Sequence, residues 1–194
     1  HNRKVIQFFL SLQQKQTFHP YYTMKKTFPF LLLLGVLLSG CARKSSVADY
    51  RVVPLPQEIV LTHEQGFTLT ANTPIVYLGD ASMQRNADLL AEYIKEKTAL
   101  DLSVSAEQLP SAITLAVDTT IANPEGYRLV VSADGVTITG ASPAGVFYGM
   151  QTLRKALPVV QGGVVELPAA TITDYPRFGY RGAHLDVSRH FFTV

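Results

Sequence analysis

Tryptophan is absent from this 194-residue chain, cysteine occurs once, and charged residues make up only 16% of it. Because Cys41 is alone, no disulfide can form within the chain. The formal net charge of +2 comes from residues 1–40, which hold five basic residues and no acidic ones, while the remainder has twelve basic and fifteen acidic residues. This weakly acidic body gives no electrostatic reason to expect nucleic acid as a partner.

The usual sequence signatures of metal, nucleotide and hydrolase sites are also missing. His63, His184 and His190 have no companion ligands at a zinc spacing, and the chain contains no P-loop or dinucleotide fingerprint. Ser142 and Ser188 do not lie in a nucleophile-elbow context. The sequence therefore predicts no metal site and no bound cofactor.

Residues 24–41 have the pattern of a bacterial lipoprotein signal peptide. Lys25 and Lys26 precede an apolar run over 28–38, which is too short to span a bilayer as a helix. The closing tetrapeptide LSGC resembles a lipobox, in which the cysteine is acylated and becomes the mature N-terminus. A plain signal peptide with a chance cysteine is the alternative. We expect Cys41 to be the lipid anchor of a protein in the bacterial cell envelope, at the outer membrane or in the periplasm.

The chain divides by composition into further segments. Residues 1–23 precede a natural start at Met24 and show no convincing periodicity, so we interpret them as upstream of a mis-set start codon. Residues 42–50 are small, polar and basic, which suits a tether. A globular domain is predicted over 51–173, and a separate segment over 174–194.

Two helices are predicted in the globular domain. Over 80–100, four apolar residues repeat at helical spacing and line one face, with Asp80 or Ser82 as the cap: Met83, Ala87, Leu90 and Ile94. The second helix begins at Ser142 with proline at its first position, and it ends at Pro158. Gly145 and Gly149 lie four residues apart within it and would allow close approach to a sheet.

The remaining signals of the domain are typical of strands. A hairpin is predicted around Asp134-Gly135, which separates two β-rich runs. Further short runs rich in β-forming residues lie between turn residues, at 58–62, 67–71, 74–78, 101–105 and 112–118. We therefore predict an α+β fold, with a largely antiparallel sheet that carries both helices on one face.

The last fifteen residues, YRGAHLDVSRHFFTV, concentrate charge around an apolar run. Residues 183–187 are predicted to form a buried strand, with Asp186, Arg189 and His190 at its exit. Charges at the C-terminal end of a barrel strand usually face an active site, and the guanidinium of Arg181 offers five donors for sugar hydroxyls or a carboxylate. The alternative is that these charged residues pair with one another or with residues of further strands.

Two stretches resemble family 20 glycoside hydrolases, the β-N-acetylhexosaminidases. The stretch YPRFGYRGAHLDVSRHF, at 175–191, resembles the segment that opens the catalytic (β/α)₈ barrel of that family. The stretch PEGYRLVVSADGVTITGASPAGVFYGMQTLRKAL, at 124–157, is similar to the α+β domain that precedes the barrel. The resemblance implies that 174–194 is the truncated start of such a barrel and that the chain is the N-terminal part of a longer enzyme.

The resemblance also implies a chemistry. In this family the acetamido oxygen of the substrate attacks its own anomeric carbon, a Glu protonates the leaving oxygen and an adjacent Asp orients the acetamido group. That Asp-Glu pair lies far downstream in the family, so no catalytic residue is assigned here and the chain itself is expected to be inactive. Arg181 matches the arginine that binds hydroxyls of the terminal sugar, and Asp186, Arg189 and His190 match positions interpreted as structural supports.

The expected partners are a glycan with a terminal N-acetylhexosamine and, through the lipid anchor, a membrane. Two other functions remain open on the sequence alone. One is a different glycosidase that shares the preceding domain, such as an α-glucuronidase. The other is a non-enzymatic, membrane-tethered glycan-binding lipoprotein.

Overall fold

The structure, a computed structural model, describes residues 45–185, in which two helices and two sheets form an α+β fold. The helices are α1 (Ala81–Thr98) and α2 (Pro143–Ala156). The strands in chain order are β1 (Ser45–Val47), β2 (Glu58–Leu61), β3 (Phe67–Leu69), β4 (Ile75–Tyr77), β5 (Val104–Ser105), β6 (Ile113–Val117), β7 (Tyr127–Ser132), β8 (Gly135–Gly140), β9 (Val164–Leu167) and β10 (Ala170–Asp174).

Capping residues define both ends of helix α1. The side chain of Asp80 accepts a hydrogen bond from the Ser82 amide at 2.9 Å, which satisfies one of the free N–H groups of the first turn. The helix ends at Thr98, and the C-cap residue Ala99 adopts a left-handed conformation with φ of 57°. The predicted apolar face is confirmed, because its four residues are all buried.

Helix α2 is confirmed with Ser142 as its cap and Pro143 at its first position. Its glycines make the predicted close approach to the large sheet. A Cβ added at Gly149 would lie 2.5 Å from the Cγ2 of Ile138, and one at Gly145 would collide with the carbonyl oxygen of Gly126. The helix therefore packs against β7 and β8 at a distance that only glycine permits.

The large sheet has seven strands in the order β2-β10-β7-β8-β6-β4-β5. The three pairs from β2 to β8 are antiparallel, but the three pairs from β8 to β5 are parallel. The prediction of a largely antiparallel sheet is therefore wrong for half of it. Helix α1 accounts for the parallel pairs β4–β5 and β4–β6, because a helical crossover returns the chain in the same direction. The pair β6–β8 is parallel because the chain passes from β6 to β7 on the far side of β8 and then returns through the hairpin.

The hairpin β7–β8 is confirmed, but its turn lies one residue earlier than predicted. Ser132 pairs with Gly135, so Ala133 and Asp134 form the two-residue loop. Gly135 has φ of 157°, and a Cβ there would lie 2.6 Å from the carbonyl oxygen of Ala112. Gly135 is thus the first residue of β8 and not part of the turn, and its positive φ and close contact require glycine there.

Three strands were not predicted at all, and each of the five short runs predicted as strands is shorter in the structure. Strand β9 forms the centre of a second sheet in the order β1-β9-β3, and β10 lies between β2 and β7 in the large sheet. Within 42–50, which composition assigns to a tether, Ser45–Val47 form β1, and Ala48 and Tyr50 are buried. The pairing of β1 with β9, more than a hundred residues away, has no local signature in the sequence. The run predicted over 101–105 is a strand only over Val104–Ser105.

Both helices lie on one face of the large sheet, as predicted. Helix α1 packs on β4, β5 and β6, α2 packs on β6, β7 and β8, and the two helices contact each other. One hydrophobic core includes residues from both helices and both sheets. Over residues 45–185 neither helix combines the length and apolar character that crossing a membrane requires.

Candidate functional site

The chain leaves β10 along a pocket of about 730 Å³, which we call the exit pocket. Four stretches of chain line it, namely 52–57, 125–127, 147–155 and 174–181. The first precedes β2, the second enters β7, the third is the outer half of α2, and the fourth continues from β10. The pocket therefore lies where the chain leaves β10 and continues into the segment that contains Arg181.

Arg181 lies on the rim of the exit pocket and is held by two contacts. Its Nη2 donates to Glu125 Oε1 at 2.8 Å, and its Nη1 donates to the carbonyl oxygen of Phe178 at 2.7 Å. The hydroxyl of Tyr148 donates to the same Glu125 oxygen at 3.0 Å. The arginine side chain is 44% exposed, so the ion pair is accessible to water and screened by salt.

These contacts set the charge state of Glu125. The hydrogen bonds from Arg181, and secondarily from Tyr148, hold the pKa of the Glu125 carboxyl below its ordinary value of 4.5. The same ion pair raises the pKa of the Arg181 guanidinium. A carboxyl that stays ionised at neutral pH cannot donate a proton to a leaving group, so Glu125 is suited to positioning and not to general acid catalysis.

Local structure places Glu125 at this rim. Its backbone N–H donates to Asn123 Oδ1 at 3.0 Å, which closes a turn just before β7. The hydroxyl of Ser142 donates to the carbonyl oxygen of Pro124 at 2.6 Å, which ties that turn to the start of α2. Because Tyr148 lies in the middle of α2, turn and helix together fix both partners of the Arg181 network.

The floor of the exit pocket contains a second polar network. The hydroxyls of Tyr127 and Thr152 lie 2.6 Å apart, and the Tyr127 hydroxyl is 3.4 Å from Asp174 Oδ2. The other oxygen of Asp174 accepts from the backbone N–H of Gln57 at 3.1 Å. Burial raises the pKa of the Tyr127 phenol, so its hydroxyl keeps its proton and remains a donor.

Gln151 also lines the exit pocket, but unlike the polar side chains above it has a buried donor, Nε2, without a hydrogen-bond partner among the residues that the structure describes. Within 45–185, no three histidine, cysteine or acidic side chains gather in a way that could hold a metal ion.

The sequence-predicted site residues are only partly within reach of the structure. Arg181 is placed as described and pairs with Glu125, whereas the alternative of pairing with Asp186 or Arg189 involves residues outside the described range. Residues 183–185 are exposed and irregular, which differs from the buried strand predicted over 183–187, since no strand lies alongside them in the described part of the chain. Asp186, Arg189, His190 and Cys41 lie outside the described residues.

Sequence reasoning missed most of the exit pocket. Glu125, Tyr127, Gln151 and Asp174 come from three separate stretches of chain that only the fold brings together. Glu125 and Asp174 each border a β-rich run, which is a weak signal because acidic residues are common there. The pairing of Glu125 with Arg181, 56 residues apart, has no sequence signature.

Comparison with known proteins assigns the class. The family model described as "Glycosyl hydrolase family 20, domain 2" matches residues 49–175, and the chain belongs to glycosyl hydrolase family 20. It is 33% identical over 184 residues to the beta-hexosaminidase of Porphyromonas gingivalis, covering 87% of this chain and 23% of the relative. It is also 33% identical over 149 residues to the beta-N-acetylhexosaminidase of Cellulomonas fimi, covering 75% of this chain and 30% of that protein.

Solved structures of the family share the fold. The GH20 beta-N-acetylhexosaminidase of Streptomyces coelicolor matches with a TM-score of 0.65 and 35% identity, covering 74% of this chain and 30% of that one. The N-acetyl-beta-hexosaminidase of Streptomyces plicatus matches with a TM-score of 0.67 and 36% identity, covering 73% and 29%. The chain thus spans less than a third of the length of these relatives.

Proposed function

We propose that this chain is the N-terminal part of a β-N-acetylhexosaminidase that removes terminal N-acetylhexosamine from glycans. The observation that carries the proposal is the family 20 domain match over 49–175, with the Arg181-Gly182 motif beginning six residues after its end. Relatives that share this domain are named as β-hexosaminidases, and the match covers only 23% and 30% of their lengths. Residues 174–194 then begin the catalytic (β/α)₈ barrel of the parent protein.

In this proposal, the reaction is substrate-assisted and retains the anomeric configuration. The catalytic Asp-Glu pair belongs to a later part of the parent, and the described domain contributes position and binding. Arg181 contributes hydrogen bonds to hydroxyls of the terminal sugar. Its guanidinium has five N–H donors, of which Glu125 and Phe178 engage two, so three remain for a ligand.

The test compares two arginines of the same exit segment in the full-length parent. Arg181→Ala is expected to lower kcat/KM on a chromogenic β-N-acetylglucosaminide by roughly a hundredfold, because charge-assisted hydrogen bonds to the sugar are lost in the transition state. Arg177→Ala, which removes an exposed arginine four residues earlier, is the control and should change kcat/KM by less than about twofold.

Three results would contradict this function. An unchanged kcat/KM in Arg181→Ala would remove the sugar-binding role of that residue. A parent that hydrolyses no N-acetylhexosaminide, or whose gene lacks an adjacent Asp-Glu pair beyond codon 194, would remove the enzymatic assignment. Activity of the 194-residue chain alone would show that the catalytic groups were misplaced.

The proposal extends to location. We propose that Cys41 is acylated and anchors the protein at the bacterial cell envelope, because the LSGC tetrapeptide places the lone cysteine at the lipobox position. Cys41→Ala in the native host is expected to abolish incorporation of a clickable palmitate analogue and to move the protein from the membrane fraction to the soluble fraction. Cys41→Ala protein that remains with the membrane would contradict the anchor.

A further inference from the structure

Only three residues separate Cys41 from the first strand of the domain. Ser45 already belongs to β1, so the tether predicted over 42–50 is reduced to residues 42–44, two of which are basic. An extended chain covers at most about 3.3–3.6 Å per residue, so the Cα of Ser45 lies within roughly 14 Å of the Cα of Cys41. A lipid attached to Cys41 would therefore hold the start of β1 close to the surface of a bilayer.

Strand β1 lies at the end of the domain where both helices terminate. Ser45 pairs with the first residue of β9. Two residues before β9, the amide of Gly162 donates to the carbonyl oxygen of Thr98, the last residue of α1, at 2.7 Å. Two residues beyond β1, the amide of Asp49 donates to the carbonyl oxygen of Ala156, the last residue of α2, at 3.0 Å. We call this end of the domain the anchor edge, made of Ser45, residues 159–163 and the last turn of α1.

The two helices run in the same direction, so their N-terminal ends lie together at the opposite end of the domain. Near the two starts, the side chain of Asn86 donates to the carbonyl oxygen of Pro143 at 3.0 Å. Near the two ends, Arg154 pairs with Glu96 at 3.4 Å. Helix α1 has 18 residues and rises about 1.5 Å per residue, so about 27 Å separate the anchor edge from the N-terminal end of the helix layer.

Arg181 lies toward the end that is far from the anchor edge. Its partner Glu125 follows Pro124, whose carbonyl oxygen accepts a hydrogen bond from Ser142, the cap of α2. Tyr148, which also donates to Glu125, lies eight residues before the last residue of α2. At about 1.5 Å per residue, the Arg181 network is displaced from the C-terminal end of α2 by about 12–20 Å along the helix axis.

The side chains of the anchor edge are compatible with a phospholipid surface. Val159 is 72% exposed and offers an apolar contact. Asp101, just after α1, pairs with Lys95 at 2.9 Å, and Glu96 pairs with Arg154 as described. These carboxylates are therefore compensated by neighbouring cations, and they add little repulsion toward anionic headgroups.

We propose that the anchor edge faces the bilayer and that the domain is a spacer which holds Arg181 on the side away from the membrane. A domain of about 140 residues has a radius of gyration of roughly 14 Å, so a tether of three residues does not let it turn its opposite end toward the same bilayer. The sugar-binding residue then faces glycans outside the lipid surface. The inference rests on the proposed acylation of Cys41 and not on the enzymatic activity.

Photo-crosslinking in the membrane-bound, full-length parent compares two exposed glutamines, one near each end of α1. The variants are Gln161→p-benzoylphenylalanine, at the anchor edge, and Gln84→p-benzoylphenylalanine, in the first turn of α1. After irradiation, mass spectrometry should find phospholipid adducts at position 161 in at least about fivefold higher yield than at position 84, because the short tether keeps only the anchor edge near lipid. The same probe at Val159 repeats the measurement, so the result does not depend on one variant.

Lengthening the tether tests whether it sets the orientation. An insertion of about twenty Gly and Ser residues after Lys44 adds roughly 25 Å of average reach, so the adduct yield at position 161 should fall by at least about threefold. The protein should stay in the membrane fraction, because Cys41 is unchanged. The double variant Arg43→Ser, Lys44→Ser keeps the length of the tether and is the control, in which the yield should be retained. An unchanged yield with the long tether would overturn the tether as the cause of the orientation.

The outcomes separate the orientation from the anchor and from the activity. Equal adduct yields at positions 161 and 84 in an acylated parent would overturn the orientation and leave the anchor standing. A parent that incorporates no palmitate analogue at Cys41 would overturn both. An inactive parent with adducts confined to the anchor edge would contradict the proposed activity and support the orientation.

Discussion

Arg181 illustrates how one side chain serves two requirements. A guanidinium directs five donors in a fixed plane, so contacts to Glu125 and to the Phe178 carbonyl orient it and leave three donors, as the proposed sugar-binding role requires. A lysine would carry the charge but would not present this planar array. The pairing with Glu125 also connects the exit segment to the turn before β7, so the direction in which the chain leaves the domain is set at this residue.

The ion pair between Glu125 and Arg181 should make the stability of the domain depend on pH. The folded-state pKa of Glu125 is depressed below its ordinary value of 4.5, so its contribution is fully present above that pH and is lost as the pH falls through the lower folded value. Wild type and Glu125→Gln should therefore differ in Tm by about 1–2 °C at pH 7 and converge toward pH 3.

Glu96→Gln is the control for this comparison. It removes one carboxylate from a longer ion pair with Arg154, at 3.4 Å, and neither residue lines the exit pocket. A difference between wild type and Glu125→Gln that stays constant from pH 7 to pH 3 would mean that Glu125 stabilises the domain without its charge.

Helix α2 connects the core to the exit pocket, and its inner face depends on glycine. Gly145 approaches the carbonyl oxygen of Gly126, a backbone atom that cannot rotate away. The outer face of the same helix provides Tyr148 and Gln151 to the pocket. The close approach of α2 to the sheet therefore determines the position of Tyr148 and Gln151 in the exit pocket.

Gly145→Ala should destabilise the domain despite the better helix propensity of alanine. Propensity alone would favour the variant by about 1 kcal/mol, but overpacking against backbone costs about 1–3 kcal/mol. Ala144→Gly, at the exposed neighbouring position, measures the propensity difference in the same helix turn. Urea denaturation at 25 °C gives both values, and a Gly145→Ala chain more stable than wild type would show that the helix can move away from the sheet.

The sequence predicted some elements better than others. Elements whose stabilising contacts lie close together along the chain were predicted, and those whose partners lie far along the chain were not. Helices α1 and α2 and the hairpin β7–β8 carry local periodicity, caps and a turn pair, and all three were predicted. Strands β1 and β9 were missed because their partners lie far along the chain. The parallel half of the large sheet was missed for the same reason, since neither the periodicity of α1 nor the loop between β6 and β7 shows the direction of the strand that follows.

The candidate site follows the same rule. Arg181 was found because it lies in a motif whose residues are adjacent in sequence. Its partner Glu125, and the Tyr127–Asp174 contact across 47 residues, depend on tertiary structure alone. The sugar-binding role of Arg181 therefore stays a prediction from its motif, and the structure identifies the residues that position its guanidinium.

At the scale of the described domain, the two sheets share one hydrophobic core. Val165 and Leu167 of the small sheet belong to the same cluster as Leu129 and Ile172 of the large sheet. The strand β9 precedes β10 with only two residues between them, so the sheets are also joined covalently at this point. We therefore expect residues 45–175 to unfold as one cooperative unit.

Leu167→Ala tests this expectation, because the residue lies in the small sheet and only 1% of it is exposed. Removing three buried carbons should cost about 2–5 kcal/mol, and the loss should appear equally in every probe of the large sheet. Val159→Ala, 72% exposed, is the matched control and should change stability by less than about 0.5 kcal/mol. Urea unfolding followed by tyrosine fluorescence, circular dichroism and hydrogen exchange in β7 and β8 should give one shared midpoint. The midpoints would separate if the small sheet unfolded while β7 and β8 stayed protected from exchange. In that case β1, β3 and β9 form an independent unit, and the part of the exit pocket that β10 lines does not depend on them.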